Sequence, residues 1–150
     1  MAAPIGPYTP VVRAGDWIIV SGQLGLRDGS LVEGGVRAQT AQAIANLRKQ
    51  LASVGASLSD VSKTLCFLTD MDTFATFNEA YVAEFGSSRP ARSTIGVAAL
   101  PAGGAVEVEA WAYVPATPAR ATPKGAGKKS SGKKPMRKKT SGKKPTRKKK

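Results

Sequence analysis

The sequence predicts an α+β domain of order ββαβαββ, with two helices packed on one side of a sheet. Three observations carry that prediction. Residues 105–114 alternate strictly: Val106, Val108, Ala110, Ala112 and Val114 fall on one face, and Glu107, Glu109, Trp111 and Tyr113 on the other. Ile44, Leu47, Leu51 and Val54 recur at steps of 3, 4 and 3, one stripe of an amphipathic helix. Phe74, Phe77, Tyr81 and Phe85 repeat the pattern in a second helix.

The elements follow in order. Residues 17–26, WIIVSGQLGL, are rich in β-branched side chains and read as a strand. Asp28-Gly29 is a favoured hairpin turn, after which Leu31-Val32 begin a short return strand. The first helix ends at Gly55, whose freedom to take positive φ suits a helix stop. Residues 61–70 read as a strand, and 72–86 as the second helix, with Asp72 as its N-cap and Gly86 as its end. Two strands close the domain, 92–97 and 105–114, across a loop holding Pro101, Gly103 and Gly104. If those two pair as a hairpin, Arg92 and Glu107 share one face. The Glu107 face mixes carboxylates with aromatics, which suits a subunit interface lined by a site. No spare helix exists to cover it, so oligomerisation is expected.

Charge divides the 150 residues sharply. Residues 116–150 hold 12 Lys and 3 Arg with no acid, a charge of +15. Residues 1–115 hold 8 basic and 10 acidic side chains, a net of −2. The expected organisation is therefore a folded domain over 1–115 and a disordered basic tail over 116–150. The tail contains a tandem decapeptide, SGKKPMRKKT then SGKKPTRKKK, and has too few apolar residues for a core. Such a segment suits non-specific binding of DNA or RNA phosphates, and it lacks the aromatics that stack on single-stranded bases. A solubilising tail is the competing reading.

There is no histidine and one cysteine, Cys66. This removes Ser-His-Asp and Cys-His nucleophile systems and His-based zinc sites. It also rules out an intrachain disulfide, which is compatible with a reducing cytosol. The start, MAAPIGPY, lacks the charged and apolar regions of a signal peptide, and no apolar run nears the ~20 residues that span a bilayer. A cytoplasmic protein without membrane contact is expected.

Five motifs then stand in register: IGPY near the start, VSGQ at 20–23, TDMDTFATFNEAY at 69–81, PARST at 90–94 and VEVEA at 106–110. Together they resemble the RidA/YjgF family of reactive-intermediate (enamine/imine) deaminases, over about residues 4–114. The resemblance implies a chorismate-mutase-like fold, a homotrimer with sites in the clefts between subunits, and no metal or organic cofactor. The implied reaction is hydrolysis of 2-imino acids, derived from 2-aminoacrylate and related enamines, to 2-oxo acids and ammonia. Arg92 matches the arginine that binds the substrate carboxylate, and Glu107 the water-positioning glutamate. Thr94 stands where the family often has cysteine, and the resemblance implies a role largely through its backbone. Tyr8, Ser21 and Asn78 match the pocket tyrosine, the serine of SGQ and the asparagine of the second helix. Two places depart from the pattern: Thr9-Pro10 replaces a common Ser-Gln, and Gly96 stands where Glu or Gln is usual.

The residue types suit that chemistry. A guanidinium fork grips a carboxylate through two hydrogen bonds, which an ammonium cannot match in geometry. A carboxylate can hold water and pass a proton. The competing structural readings are an Arg92 ion pair with Glu109 or Asp70, and a solvated Glu107–Glu109 strand face. Another class of function fits the tail: a nucleic-acid-binding protein whose trimeric body gathers basic tails.

Overall fold

A computed structural model describes residues 6–115. The tail expected over 116–150 lies outside the described residues. A five-stranded sheet is built from β1 (Val11–Ala14), β2 (Trp17–Leu24), β5 (Val61–Leu68), β6 (Ala91–Gly96) and β7 (Val106–Tyr113), in the spatial order β1-β2-β7-β5-β6. A separate two-stranded ribbon is formed by β3 (Leu26–Arg27) and β4 (Ser30–Leu31). Two helices, α1 (Gly35–Ser53) and α2 (Phe74–Phe85), pack together on one face of the large sheet. The α+β class holds, and counting only the strands of the five-stranded sheet the order is ββαβαββ.

Three local expectations change. The opening hairpin of the sheet is β1–β2, antiparallel with Ala14 opposite Trp17, whereas the return strand after Asp28-Gly29 joins only the small ribbon. Val11 and Val12 carry the missed strand, too short to announce itself. Asp72 is not the N-cap of α2: Met71–Thr73 form a 3₁₀ turn capped by Asp70, whose carboxylate accepts from the Asp72 N–H at 2.9 Å. A short acidic side chain serves equally well at either position, so sequence leaves the choice open. Most consequentially, β6 and β7 are not a hairpin. β5 lies between them, parallel to β6 and antiparallel to β7.

The core follows from periodicity. Ile44, Leu47 and Leu51 of α1 and Phe77 of α2 are fully buried against Ile18, Val20, Cys66, Leu68, Val106, Val108, Ala110 and Ala112. Burial pushes the Cys66 thiol up to about 11, so it behaves as a small apolar group. Gly25 admits α1 to the end of β2, since a Cβ there would lie 2.6 Å from the Gln39 Cα. Gln39 in turn accepts from the Ala105 N–H at 2.8 Å and ties α1 to the start of β7.

Among the described residues, nothing covers the opposite sheet face. Trp17, Ile19, Trp111 and Tyr113 each expose 40–46% of their surface there, and Trp17 meets Tyr113 edge-on at 5.1 Å between ring centroids.

Candidate active site

Residues directly opposite in a ladder share a face. Arg92 lies opposite Thr64, Thr94 opposite Cys66, and Gly96 opposite Leu68, and Thr64, Cys66 and Leu68 are all buried on the helix side. Arg92, Thr94 and Gly96 therefore share the helix face, as alternation along β6 requires. Glu107 is opposite Phe67 and Glu109 opposite Leu65, and the flanking Val106, Val108 and Ala110 are buried. Glu107 thus occupies the bare face. The shared face expected for Arg92 and Glu107 fails, because inserting β5 removes the pairing on which it depended. One chain holds the candidate residues in two separate half-sites.

The first half-site is a cationic notch between β6 and α2. The Arg92 guanidinium carbon stands 4.7 Å from the ring centroid of Tyr81, 5.3 Å from Phe77 and 5.7 Å from Phe74, within cation–π range of all three. Tyr81 is a neutral ring: burial raises its phenol to about 12, and its hydroxyl is bonded to Thr64 Oγ1 at 2.8 Å. Arg92 Nη2 donates to Asn78 Oδ1 at 2.7 Å. Among the described residues no carboxylate lies within 4.0 Å of this guanidinium, so the ion pair with Glu109 or Asp70 is not formed. Asn78 orients the arginine and leaves most of its N–H fork open. Beside it, the Thr94 hydroxyl oxygen is buried and has no partner among the described residues, and a buried polar atom of this kind calls for an explanation. Arg89, by contrast, is exposed and donates to the Gly86 and Ser88 carbonyls at the end of α2.

The second half-site lies on the bare face. An open pocket of about 450 Å³ is lined by Gly6, Tyr8, Ser21, Gly22, Leu24, Pro101, Glu107 and Glu109. It gathers Tyr8, Ser21 and Glu107, three of the sequence candidates. The pairing of β2 with β7 shifts register between Val20 and Gln23, and this bulge carries Ser21 and Gly22. Ser21 Oγ donates to the Thr9 carbonyl at 2.8 Å, pinning the segment that bears Tyr8. The Glu107 carboxyl is raised above its ordinary value, first by burial and then by the neighbouring Glu109 charge. A carboxyl so raised is better matched to proton transfer near neutrality.

Sequence reasoning passed over Gly22, although it sits inside the SGQ motif. A Cβ at position 22 would fall 1.6 Å from Glu107 Oε1 and 2.6 Å from its carboxyl carbon. Gly22→Ala is therefore expected to displace the Glu107 carboxylate while leaving the fold intact, because the flexible end of the side chain yields. A displacement near 1 Å can cost about 10²-fold in rate. Activity and the thermal melting curve, measured together, check this; a fully active variant would show that the carboxylate position is immaterial.

The family model described as Endoribonuclease L-PSP matches residues 1–114. A RutC family protein of Pyrococcus horikoshii is 40% identical over 112 residues, covering 73% of this chain and 89% of that protein. The mouse protein named 2-iminobutanoate/2-iminopropanoate deaminase is 46% identical over 112 residues, covering 73% and 83%. The crystal structure of RidA from an Antarctic Psychrobacter superposes with a TM-score of 0.72 at 40% identity, covering 75% and 92%. The whole described domain is shared with these proteins, and the chain belongs to the Endoribonuclease L-PSP family, the RidA/YjgF family whose motifs its sequence carries.

Proposed function

We propose that the protein hydrolyses reactive 2-imino acids, and the enamines in equilibrium with them, to 2-oxo acids and ammonia. One observation carries the reading: Arg92 is held over three aromatic rings and oriented by Asn78, with no carboxylate partner among the described residues. A half-buried cation so prepared is a receptor for a small carboxylate. Relatives named 2-iminobutanoate/2-iminopropanoate deaminase, from mouse and cattle at 46% and 44% identity, support the reaction class.

The two half-sites require a second copy. In a homotrimer, the bare face of one subunit meets the β6 edge of the next, so that Arg92 and Thr94 of one face Tyr8 and Glu107 of the other. Covering Trp17, Ile19, Trp111 and Tyr113 would drive this association. Arg92 fixes the carboxylate, and the imine carbon is presented to a water held by Glu107. The water oxygen bonds to that carbon, and Glu107 takes its proton and delivers it to nitrogen. The carbinolamine then loses ammonia as the carbonyl forms. Imines hydrolyse in water unaided, so placement accounts for much of the acceleration. No step needs a histidine, a metal or an organic cofactor. RNA cleavage, suggested by the family description, usually relies on an acid–base pair that a chain without histidine lacks.

The test is release of ammonia and 2-oxo acid from an imine generated in place by an amino-acid oxidase. Acceleration over the buffer rate is expected, and its absence with correctly assembled protein would refute the deaminase reading.

A second activity is suggested by charge. The +15 carried by residues 116–150, with its tandem decapeptide, suits non-specific binding to duplex nucleic acid through counterion release. In a cytoplasmic trimer three such segments act together and strengthen weak contacts, in keeping with a nucleoid-associated location. Deleting 116–150 is expected to abolish DNA retardation in gels at low salt and leave imine hydrolysis intact. Equal retardation by the shortened protein would end this proposal; loss of both activities would move the main function to the tail.

A further inference from the structure

Resting on the deaminase reading, we infer that Thr64 and Tyr81 are positioning residues for substrate binding. The buried hydrogen bond between them fixes the ring against which the Arg92 guanidinium is held ready for a carboxylate.

The burial of Thr64 is the starting point. The buried polar residues among those described are Gln39, Thr40, Gln42 and Thr64. The first three have architectural tasks: Gln39 ties α1 to Ala105, Thr40 returns its hydroxyl to the Val36 carbonyl, and Gln42 is bonded to Arg27 and Asn46. Thr64 differs. It lies fully buried in β5, where valine has the same branched shape and no polar atom. Its Oγ1 crosses from the sheet to α2, where it is hydrogen-bonded to the Tyr81 hydroxyl at 2.8 Å. A neutral bond of this kind adds little net stability, although losing one partner alone is costly. What the bond does determine is where the ring sits.

The strand register shows what that placement serves. Arg92 of β6 lies directly opposite Thr64 of β5, so one side chain leaning in from α2 can meet both. Tyr81 does so. Its hydroxyl ends on Thr64, and its ring centroid is 4.7 Å from the Arg92 guanidinium carbon, nearer than those of Phe77 and Phe74. Phe85 stacks on the same ring, 4.4 Å between centroids and 21° between planes. The ring is therefore pinned at its tip by the sheet and along its plane by Phe85. Burial raises the phenol to about 12, so the hydroxyl keeps its proton near neutrality.

Asn78 completes the setting by accepting from Arg92 Nη2 at 2.7 Å. The ring holds the guanidinium by its face and Asn78 by one edge, which leaves other N–H groups of the fork to a carboxylate. An arginine fixed in advance has less rotamer freedom to lose when substrate arrives, so the gain appears in affinity.

The test uses Thr64→Val, Tyr81→Phe and the variant carrying both, each made in the full chain. Either single substitution strands one buried hydroxyl and should lower the melting temperature. The paired substitution leaves two apolar groups of the same shape and should recover most of that loss. Binding is expected to behave differently. Two quantities report it: KM for the imine formed in place from 2-aminobutanoate, and the inhibition constant of the product 2-oxobutanoate. Both should rise by about three- to tenfold in Tyr81→Phe and in the paired variant, on the scale of a weakened cation–π contact. The change in kcat should be smaller than that in KM. Each of these two variants reports by itself, so misfolding of one leaves the result readable. Parent-like KM and inhibition constants would make the bond purely structural and overturn the inference, while leaving the deaminase reading standing. A parent that accelerates no imine hydrolysis would overturn the deaminase reading and this inference with it.

Discussion

Arg92→Ala should reduce kcat/KM for 2-iminopropanoate by about three orders of magnitude, on the scale of the ~2–5 kcal/mol lost when one partner of a buried charge pair is truncated. Among the described residues, Arg92 is the cation held over these three rings and bonded to Asn78, and these neighbours carry no charge to replace it. Asn78 would be left with an unpaired carbonyl, and Phe74, Phe77 and Tyr81 are apolar faces with no donor aimed at a carboxylate. Arg92→Lys keeps the charge and loses the fork, so it should recover only part of the rate. The same residue makes a modest contribution to the fold, about 0.5–2 kcal/mol from its cation–π contacts. Steady-state kinetics and melting curves on the three proteins separate the effects. Parent-like rates for Arg92→Ala would remove it from the site.

Glu107→Gln is expected to lower the rate by about 10²–10⁴-fold, the usual contribution of a positioned acid–base group. The amide keeps the size of the side chain, so packing against Gly22 is preserved. The raised carboxyl also predicts a pH dependence with a definite sign. If the ionised form holds the water, activity falls as pH drops through the Glu107 pKa, and that limb lies above the ordinary 4.5. Glu109 contributes part of the rise by placing a second negative charge beside it. Neutralising that charge in Glu109→Gln makes ionisation of Glu107 easier, so the acid limb should move to lower pH, toward 4.5, without vanishing. Burial, the larger cause, remains in that variant and keeps the limb above the ordinary value. A limb that stays fixed in Glu109→Gln, or that survives in Glu107→Gln, would assign the titration to another group.

Much of the fold was legible because it rests on local periodicity. The period of Ile44, Leu47 and Leu51 and that of Phe77, Tyr81 and Phe85 each specify a helix face, and both faces are buried as expected. The alternation of β7 separates its core side from its exposed side correctly. The errors fall where the signal is weak or degenerate. β1 offers only four residues, and either Asp70 or Asp72 could cap the turn before α2.

The site residues illustrate the same division. The motifs named Tyr8, Ser21, Asn78, Arg92, Thr94 and Glu107, and alternation alone put Arg92, Thr94 and Gly96 on one face of β6. Gly22 was missed because its importance is a distance to Glu107, a residue 85 positions away that only the β2–β7 pairing brings near. Ser21 and Asn78 acquire definite partners, the Thr9 carbonyl and the Arg92 guanidinium, that no spacing could specify.

By itself the sequence determined most element types, the faces that become the core, the division of charge between residues 1–115 and 116–150, and the family. Tertiary structure alone decided that β5 separates β6 from β7, and hence that Arg92 and Glu107 lie on opposite sides of one sheet. The physical reason is that alternation fixes a side chain's face only relative to its own strand. Which strand lies alongside, and in what register, is set by how the two helices and the sheet close over a shared core, a choice made by all of their contacts together.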